Sequence, residues 1–324
     1  MRISVVLSVR WLGLLAVLGS CSTCQADDQV TLRPKNSVGT FTLVGSIADY
    51  TGRELTIRPK GGGELKRYPS SDVQQIQTPY TAPHHQALRQ LAAENWEEAQ
   101  VHLSQALDQE DRVWVRRELL AHQVRVALQT KDWFQAASRF ALIMDSDSES
   151  IHRDLAPLCW TGFELSPEAE AQTRLWLRHP VAMMRLVAVS ARLEGAEPDL
   201  QEALRGLKRS EQPLVQRLAQ AQEWRMLATQ PQLTGIAVSR WELAVETLPP
   251  SFRAGPFFVV GLGYRSLQEH DRAAVCFLWG PLMQSPDRRL REACAELAAD
   301  SLEAAGQTAA GEQIRQEFLL PASP

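Results

Sequence analysis

The chain lacks long apolar runs, a surplus of positive charge and a patterned set of cysteines, and each lack removes a class of protein. Beyond the N-terminal segment no stretch reaches the ~20 apolar residues that a bilayer-spanning helix needs. Phe257-Phe258-Val259-Val260 is far too short. A formal net charge of -4 announces no basic face, so nucleic acid is not an expected partner. Arg112, Arg116 and Arg117 read as a solvated helix face. Of five cysteines, two fall in the N-terminal segment, and Cys159, Cys276 and Cys294 remain. Three is an odd number, with neither zinc nor disulfide-framework spacing. Each reads as a small buried apolar residue, with a Cys276–Cys294 disulfide between neighbouring helices as the alternative.

Signatures of catalysis are also missing. The sequence has no Gly-x-Ser-x-Gly elbow, no zinc-protease histidine pair around a glutamate and no dinucleotide-binding glycine fingerprint. His84-His85 is the sole histidine cluster. It falls at the start of a helix, where adjacent side chains point apart, and reads as a solvated helix start rather than a metal site. Asp145-Ser146-Asp147-Ser148-Glu149 lacks the glycine and distal glutamate of a calcium loop and reads as a polar loop. Gly61-Gly62-Gly63 precedes Glu64-Leu65-Lys66-Arg67-Tyr68, a strand pattern, so it reads as a hairpin tip rather than a phosphate cradle. No catalytic, cofactor-binding or metal-ligating residue is expected, and no cofactor.

What is present begins at the N-terminus. Arg2 and Arg10 flank the start, and residues 11–19 form a short uncharged apolar core. Small residues, Ser20, Cys21 and Ser22, close it. This is the layout of a secretory signal. Two cleavage modes fit. Cys24-Gln25-Ala26 before Asp27 suits a general signal peptidase, with the signal spanning 1–26. Leu18-Gly19-Ser20-Cys21 resembles the bacterial lipobox, in which the signal ends at 20 and Cys21 is the lipidation residue. An uncleaved anchor is the third reading. The expected location is the periplasm or cell envelope, with membrane attachment through a lipid on Cys21 as one option.

Residues 27–80 then alternate β-rich runs with turn signals. Val30-Thr31-Leu32, 41–47, Glu54-Leu55-Thr56-Ile57-Arg58, 65–68 and 73–76 make five short strands. Their number and spacing resemble the small SH3-like or Sm-like barrels, which implies a closed five-stranded barrel.

From Pro83 onward the periodicity turns helical, and it repeats. Asn95-Trp96-Glu97-Glu98-Ala99 with Leu103 and Ala106 recurs as Asp132-Trp133-Phe134-Gln135-Ala136 with Phe140 and Ile143, an offset of 133 − 96 = 37 residues. A period of this length points to stacked helical hairpins. Phe257, Val260, Gly261, Tyr264, Ala273, Phe277 and Gly280 fall at the spacing of the tetratricopeptide signature, and the chain resembles that family over about 85–145 and 255–320. The resemblance implies that Gly261, Ala273 and Gly280 let helices approach closely, while Phe257, Tyr264 and Phe277 fill the gaps. Ala295, Ala299, Leu302, Gly311 and Phe318 form a weaker last unit. There Arg315 replaces an aromatic, as suits a capping repeat with one wet face. In the middle, His179-Pro180-Val181 and Gln212-Pro213-Leu214 open helices about 33 residues apart, a spacing that resembles HEAT-like repeats.

The expected fold is mostly α: a right-handed α-solenoid behind a small β-barrel. It divides into 81–150 (tetratricopeptide-like), 151–250 (HEAT-like or irregular) and 251–320 (tetratricopeptide-like). Solenoids of this kind expose an extended concave surface. The expected function is therefore a non-enzymatic scaffold or adaptor in the bacterial cell envelope, binding a protein or peptide on that concave face. An envelope-assembly factor gripping a polymer such as peptidoglycan is the runner-up, and an enzyme with an unrecognised site comes third. A row of exposed aromatics would favour the glycan.

Overall fold

The computed structural model describes residues 27–35, 39–193 and 198–319. The export segment, Cys21 with it, lies outside the described residues. Among the described residues no helix is long and apolar enough to cross a membrane.

Alternation builds the N-terminal sheet. β1 (Asp28–Leu32) buries Val30 and Leu32, β2 (Phe41–Tyr50) buries Ile47, and β3 (Glu54–Pro59) buries Leu55 and Ile57, as a period of two requires. β4 (Lys66–Pro69) and β5 (Val73–Gln77) complete an antiparallel sheet of order β4-β3-β2-β1-β5. Gly61, Gly62 and Gly63 link β3 to β4 at φ of +95°, +88° and +120°, where glycine alone is free of strain.

The expected closed barrel does not form, because no ladder joins β4 to β5. β4 is four residues long and ends at Pro69, which has no N–H to give to a ladder. A 3-10 turn at Ser70–Asp72 carries the chain to the other edge of the sheet. The sheet instead covers its apolar face with helices. Val30, Leu55 and Ile57 share one core with Ala87, Leu103 and Trp114.

Among the described residues thirteen helices follow: α1 (Ala82–Ala92), α2 (Trp96–Gln109), α3 (Val113–Gln129), α4 (Trp133–Ser146), α5 (Pro167–Trp176), α6 (Ala182–Arg192), α7 (Pro198–Leu207), α8 (Pro213–Leu227), α9 (Gly235–Glu246), α10 (Ala254–Ser266), α11 (His270–Leu282), α12 (Arg288–Ala304) and α13 (Thr308–Phe318). The fold class is thus mostly α, with helical hairpins behind a small β unit.

Five turns among the described residues reverse the chain by one device. Glu94, Lys131, Gln268, Gln284 and Gly306 each take a left-handed conformation just after a helix, at φ of 57°, 62°, 62°, 48° and 80°. The next residue's N–H reaches back five positions: Asn95 to Gln90 O, Asp132 to Ala127 O, Glu269 to Tyr264 O, Ser285 to Gly280 O and Gln307 to Leu302 O. This is the Schellman closure, which satisfies carbonyls that a helix end leaves open. The first two turns stand 131 − 94 = 37 residues apart, so the period in sequence is a period in backbone geometry.

The array returns on itself. The α3–α4 turn meets the start of α12: Lys131 pairs with Glu292 at 2.5 Å, and Arg291 Nη2 donates to Gln129 Oε1 at 2.9 Å. One continuous apolar core runs from Leu120 to Ala298. The extended segment Pro157–Phe163 passes between these helices. Cys159 N donates to Ser190 Oγ of α6, and Cys159 O accepts from Gln222 Nε2 and Arg225 Nη1 of α8. Trp160 presses on Gly255 of α10, where an added Cβ would stand 2.1 Å from the indole. Phe163 lies under the Arg289 guanidinium of α12 at 4.3 Å and beside Trp133 of α4.

Candidate functional site

Ionisable side chains gather where α1 and α3 meet beneath β5. Glu118 and His122 are four residues apart on α3 and so share a face. His84 occupies the first turn of α1. Thr81 caps that turn by accepting from His84 N at 3.4 Å, and Pro83 suits its fixed φ to the helix start. The three side chains bring one ligand-capable atom each within 4.8 Å of one another. Tyr80, just ahead of α1, donates its hydroxyl to the Glu118 carboxylate, 2.9 Å from each oxygen. Its ring stacks on His84 with centroids 3.8 Å apart.

His84 is therefore not the solvated helix start expected from its neighbours in sequence. It is 1% exposed, and neither ring nitrogen has a hydrogen-bond partner. Leaving a buried polar atom unpaired costs about 1–3 kcal/mol. Only His85 of the pair is exposed. The arginine triplet is corrected in the same way. Arg117 is buried and pairs with Asp49 of β2, while Arg112 is held by Glu110 at 2.7 Å; Arg116 alone is exposed. The polar run after α4 has a structural task, since Asp147 accepts from Gly52 N at 2.8 Å and Glu149 pairs with Arg53 at 2.7 Å. Together with Arg117 it fastens the sheet to the helices.

Burial dominates the electrostatics. It pushes the His84 imidazole down to about 4, against a smaller opposing pull from Glu110. It pushes His122 down to about 3, helped by Arg125, and His152 to about 4, helped by Arg125 and Arg117. The same desolvation raises Glu118, which the Tyr80 hydroxyl and Arg112 partly offset. At neutral pH the three imidazoles are uncharged, with lone pairs free. Arg125 Nη1 stands 3.4 Å from His122 Nδ1. A cavity of about 240 Å³ adjoins the cluster, lined by Tyr50, Ile76, Tyr80, Trp114, Glu118 and His152 among others.

Chemically, two neutral imidazoles and a carboxylate in this arrangement suit a metal ion. Sequence reading missed the site because its members are 34 and 4 residues apart on two helices. The available signal was Glu118-x-x-x-His122, an ionisable pair at one-turn spacing on a helix with many buried positions.

The expected packing residues fall inside the helical array. Ala99, Leu103, Ala136, Phe140, Phe257, Gly261, Tyr264, Ala273, Phe277 and Gly280 are all buried. Gly261 faces Phe277 of α11, and Gly280 faces Cys294 of α12. Phe257 stacks on Trp279 at 4.5 Å. The Tyr264 hydroxyl donates to Glu242 of α9 at 2.6 Å, under Arg272 of α11. Arg315 pairs with Asp300 and Glu303 of α12. Cys159, Cys276 and Cys294 are buried and free, so the alternative Cys276–Cys294 disulfide is not formed.

No protein-family model matches the chain, and no curated protein or solved structure matches it significantly.

Proposed function

We propose that the chain is a tetratricopeptide-like α-solenoid scaffold, exported to the cell envelope of a bacterium, that binds a protein partner and transforms no substrate. The observation carrying this reading is a pair of exposed aliphatic stripes. On α9, Ile236 and Leu243 are 70% and 64% exposed; on α11, Val275 and Leu282 are 62% and 64% exposed. Each pair is seven residues apart, two helical turns, and so lies on one helix face. Aliphatic stripes fit a protein surface better than a glycan.

The tryptophans support the same choice. Trp114, Trp133, Trp160, Trp176, Trp224 and Trp241 are buried, and Trp224 stacks on Trp241 at 5.5 Å. They are engaged in packing and form no exposed aromatic row for a polymer such as peptidoglycan. Pro157–Phe163 already lies between the helices, held by Ser190, Gln222 and Arg225. A peptide bound there has to displace Trp160, so the exposed stripes are the partner surface in this reading.

The test is photo-cross-linking in the envelope, with a reactive side chain at Leu243 or at Leu282. The expected result is one common protein adduct at both positions. Leu243→Glu and Leu282→Glu should abolish it at almost no cost in stability, since exposed substitutions usually stay within about 0.5 kcal/mol. An absence of adducts at both positions, or recovery of the chain in the cytoplasm, refutes the proposal.

A further inference from the structure

We infer that His84, Glu118 and His122 form a binding site for a divalent metal ion of the zinc class, with a fourth coordination position facing the cavity beside Glu118. Two independent observations meet here. Ligand-capable atoms of all three residues lie within 4.8 Å of one another. The His84 ring, 1% exposed, has both nitrogens unpartnered. Interior polar atoms are nearly always paired, and an exception calls for a missing water or ion.

The geometry needs little adjustment. The ligand atoms are at most 4.8 Å apart, and an equilateral triangle at that limit has its centre about 2.8 Å from each corner (4.8/√3). Each ligand atom then moves inward by at most about 0.8 Å to reach the ~2.0–2.2 Å of zinc–nitrogen and zinc–oxygen bonds in a tetrahedral site. Small side-chain rotations on two helices supply this.

The donor set selects the ion. Two imidazoles with one carboxylate, and a position left over, is a zinc arrangement. Calcium and magnesium prefer oxygen donors throughout. The surroundings provide an outer shell. Tyr80 donates to Glu118 at 2.9 Å, so one carboxylate oxygen can bind metal while the other keeps the hydroxyl. The Tyr80 ring, 3.8 Å from that of His84, fixes the plane of the imidazole. Such partners orient ligands and tune affinity. Arg125 works in the opposite direction. Its Nη1 stands 3.4 Å from His122 Nδ1, and it has to swing aside as the cation arrives.

The site would tie the first turn of α1 to the middle of α3, across the core that the sheet covers. Metal binding and the stability of the N-terminal unit are then linked.

The experiment titrates chelator-stripped, purified chain with Zn²⁺ by calorimetry, and with Co²⁺ as a visible-absorption probe of the coordination sphere. One ion per chain is expected, with a rise in unfolding temperature. Glu118→Gln and His122→Gln should each weaken Zn²⁺ at least 100-fold. Tyr80→Phe should weaken it by about 10–100-fold, the usual size of an outer-shell effect. Arg125→Gln should tighten it severalfold, an outcome that a purely structural role for the cluster does not produce. His85→Ala, next in sequence but exposed, should change nothing. Circular dichroism of each variant before titration shows that it is folded. The inference is overturned if the wild-type chain shows no saturable binding, or if binding survives Glu118→Gln and His122→Gln. It is equally overturned if His85→Ala abolishes binding.

Discussion

Gly261→Ala sets two well-measured effects against each other. In the interior of α10, alanine is favoured over glycine by about 0.8–1.0 kcal/mol of helix propensity. Against this, the new Cβ would stand 2.6, 2.7 and 2.9 Å from three atoms of the Phe277 ring. Carbon atoms pack at ~3.5–4.0 Å, so the ring must retreat by about 1 Å. Phe277 is fully buried, and Phe258 lies 5.7 Å away with its ring tilted across. Overpacking of a filled core costs about 1–3 kcal/mol. The balance is a destabilisation of about 0–2 kcal/mol for alanine and more for Gly261→Leu. Urea unfolding gives the magnitude, and limited proteolysis gives the place, with first cuts after about residue 250. Phe277→Leu in the Gly261→Ala background should recover part of the loss, because the smaller side chain can shift. A Gly261→Ala chain that gains the full propensity of ~1 kcal/mol would refute the reasoning. It would mean that α10 and α11 are not in close contact there.

The hairpin turns give a prediction of opposite sign. A left-handed conformation costs an ordinary residue about 1–2 kcal/mol, so Lys131→Gly should stabilise the chain by about 0.5–1 kcal/mol, unless loss of the Lys131–Glu292 pair offsets it. Glu94 forms no ion pair among the described residues and acts on Arg291 only through its charge, so Glu94→Gly is the cleaner measurement by urea unfolding. The thiols should be inert in the fold. Burial pushes Cys276 up to about 12 and raises Cys159 and Cys294 as well. At pH 8 almost no thiolate is present, so none of the three should react with a thiol reagent until denaturant is added, and all three should react then. A Cys276–Cys294 disulfide would leave one. At the N-terminus, Cys21→Ala should release the protein from membranes if the lipobox is used, and a mature chain beginning at Asp27 decides for general cleavage.

Much of the architecture was legible because it is written locally. Five strands followed from alternation around Leu55 and Ile57, and the hairpins followed from an offset that recurs in the backbone as left-handed turns at Glu94 and Lys131. Closure of the sheet was not legible. It depends on whether β4 and β5 pair, and a four-residue strand ending in proline gives no ladder for that. The course of Pro157–Phe163 was equally hidden. Nothing near Trp160 in sequence says that Gly255, almost a hundred residues on, leaves the notch it fills.

The candidate site failed to show for a sharper version of the same reason. At a helix start, sequence neighbours determine the cap, and Pro83 did mark the onset of helical periodicity at α1. They do not determine burial. His84 and His85 are adjacent and chemically identical, yet one is buried under Tyr80 and the other is in solvent. What separates them is α3, which enters the neighbourhood of α1 only after α2 has turned the chain around. A burial preference averaged over histidines therefore points the wrong way here. The informative pattern was on the other helix, where Glu118 and His122 share one face at a spacing of four on a largely buried helix. An ionisable pair at that spacing on a buried helix needs partners from elsewhere in the fold. Had that demand been traced first, the nearest helix start would have supplied His84 and Tyr80.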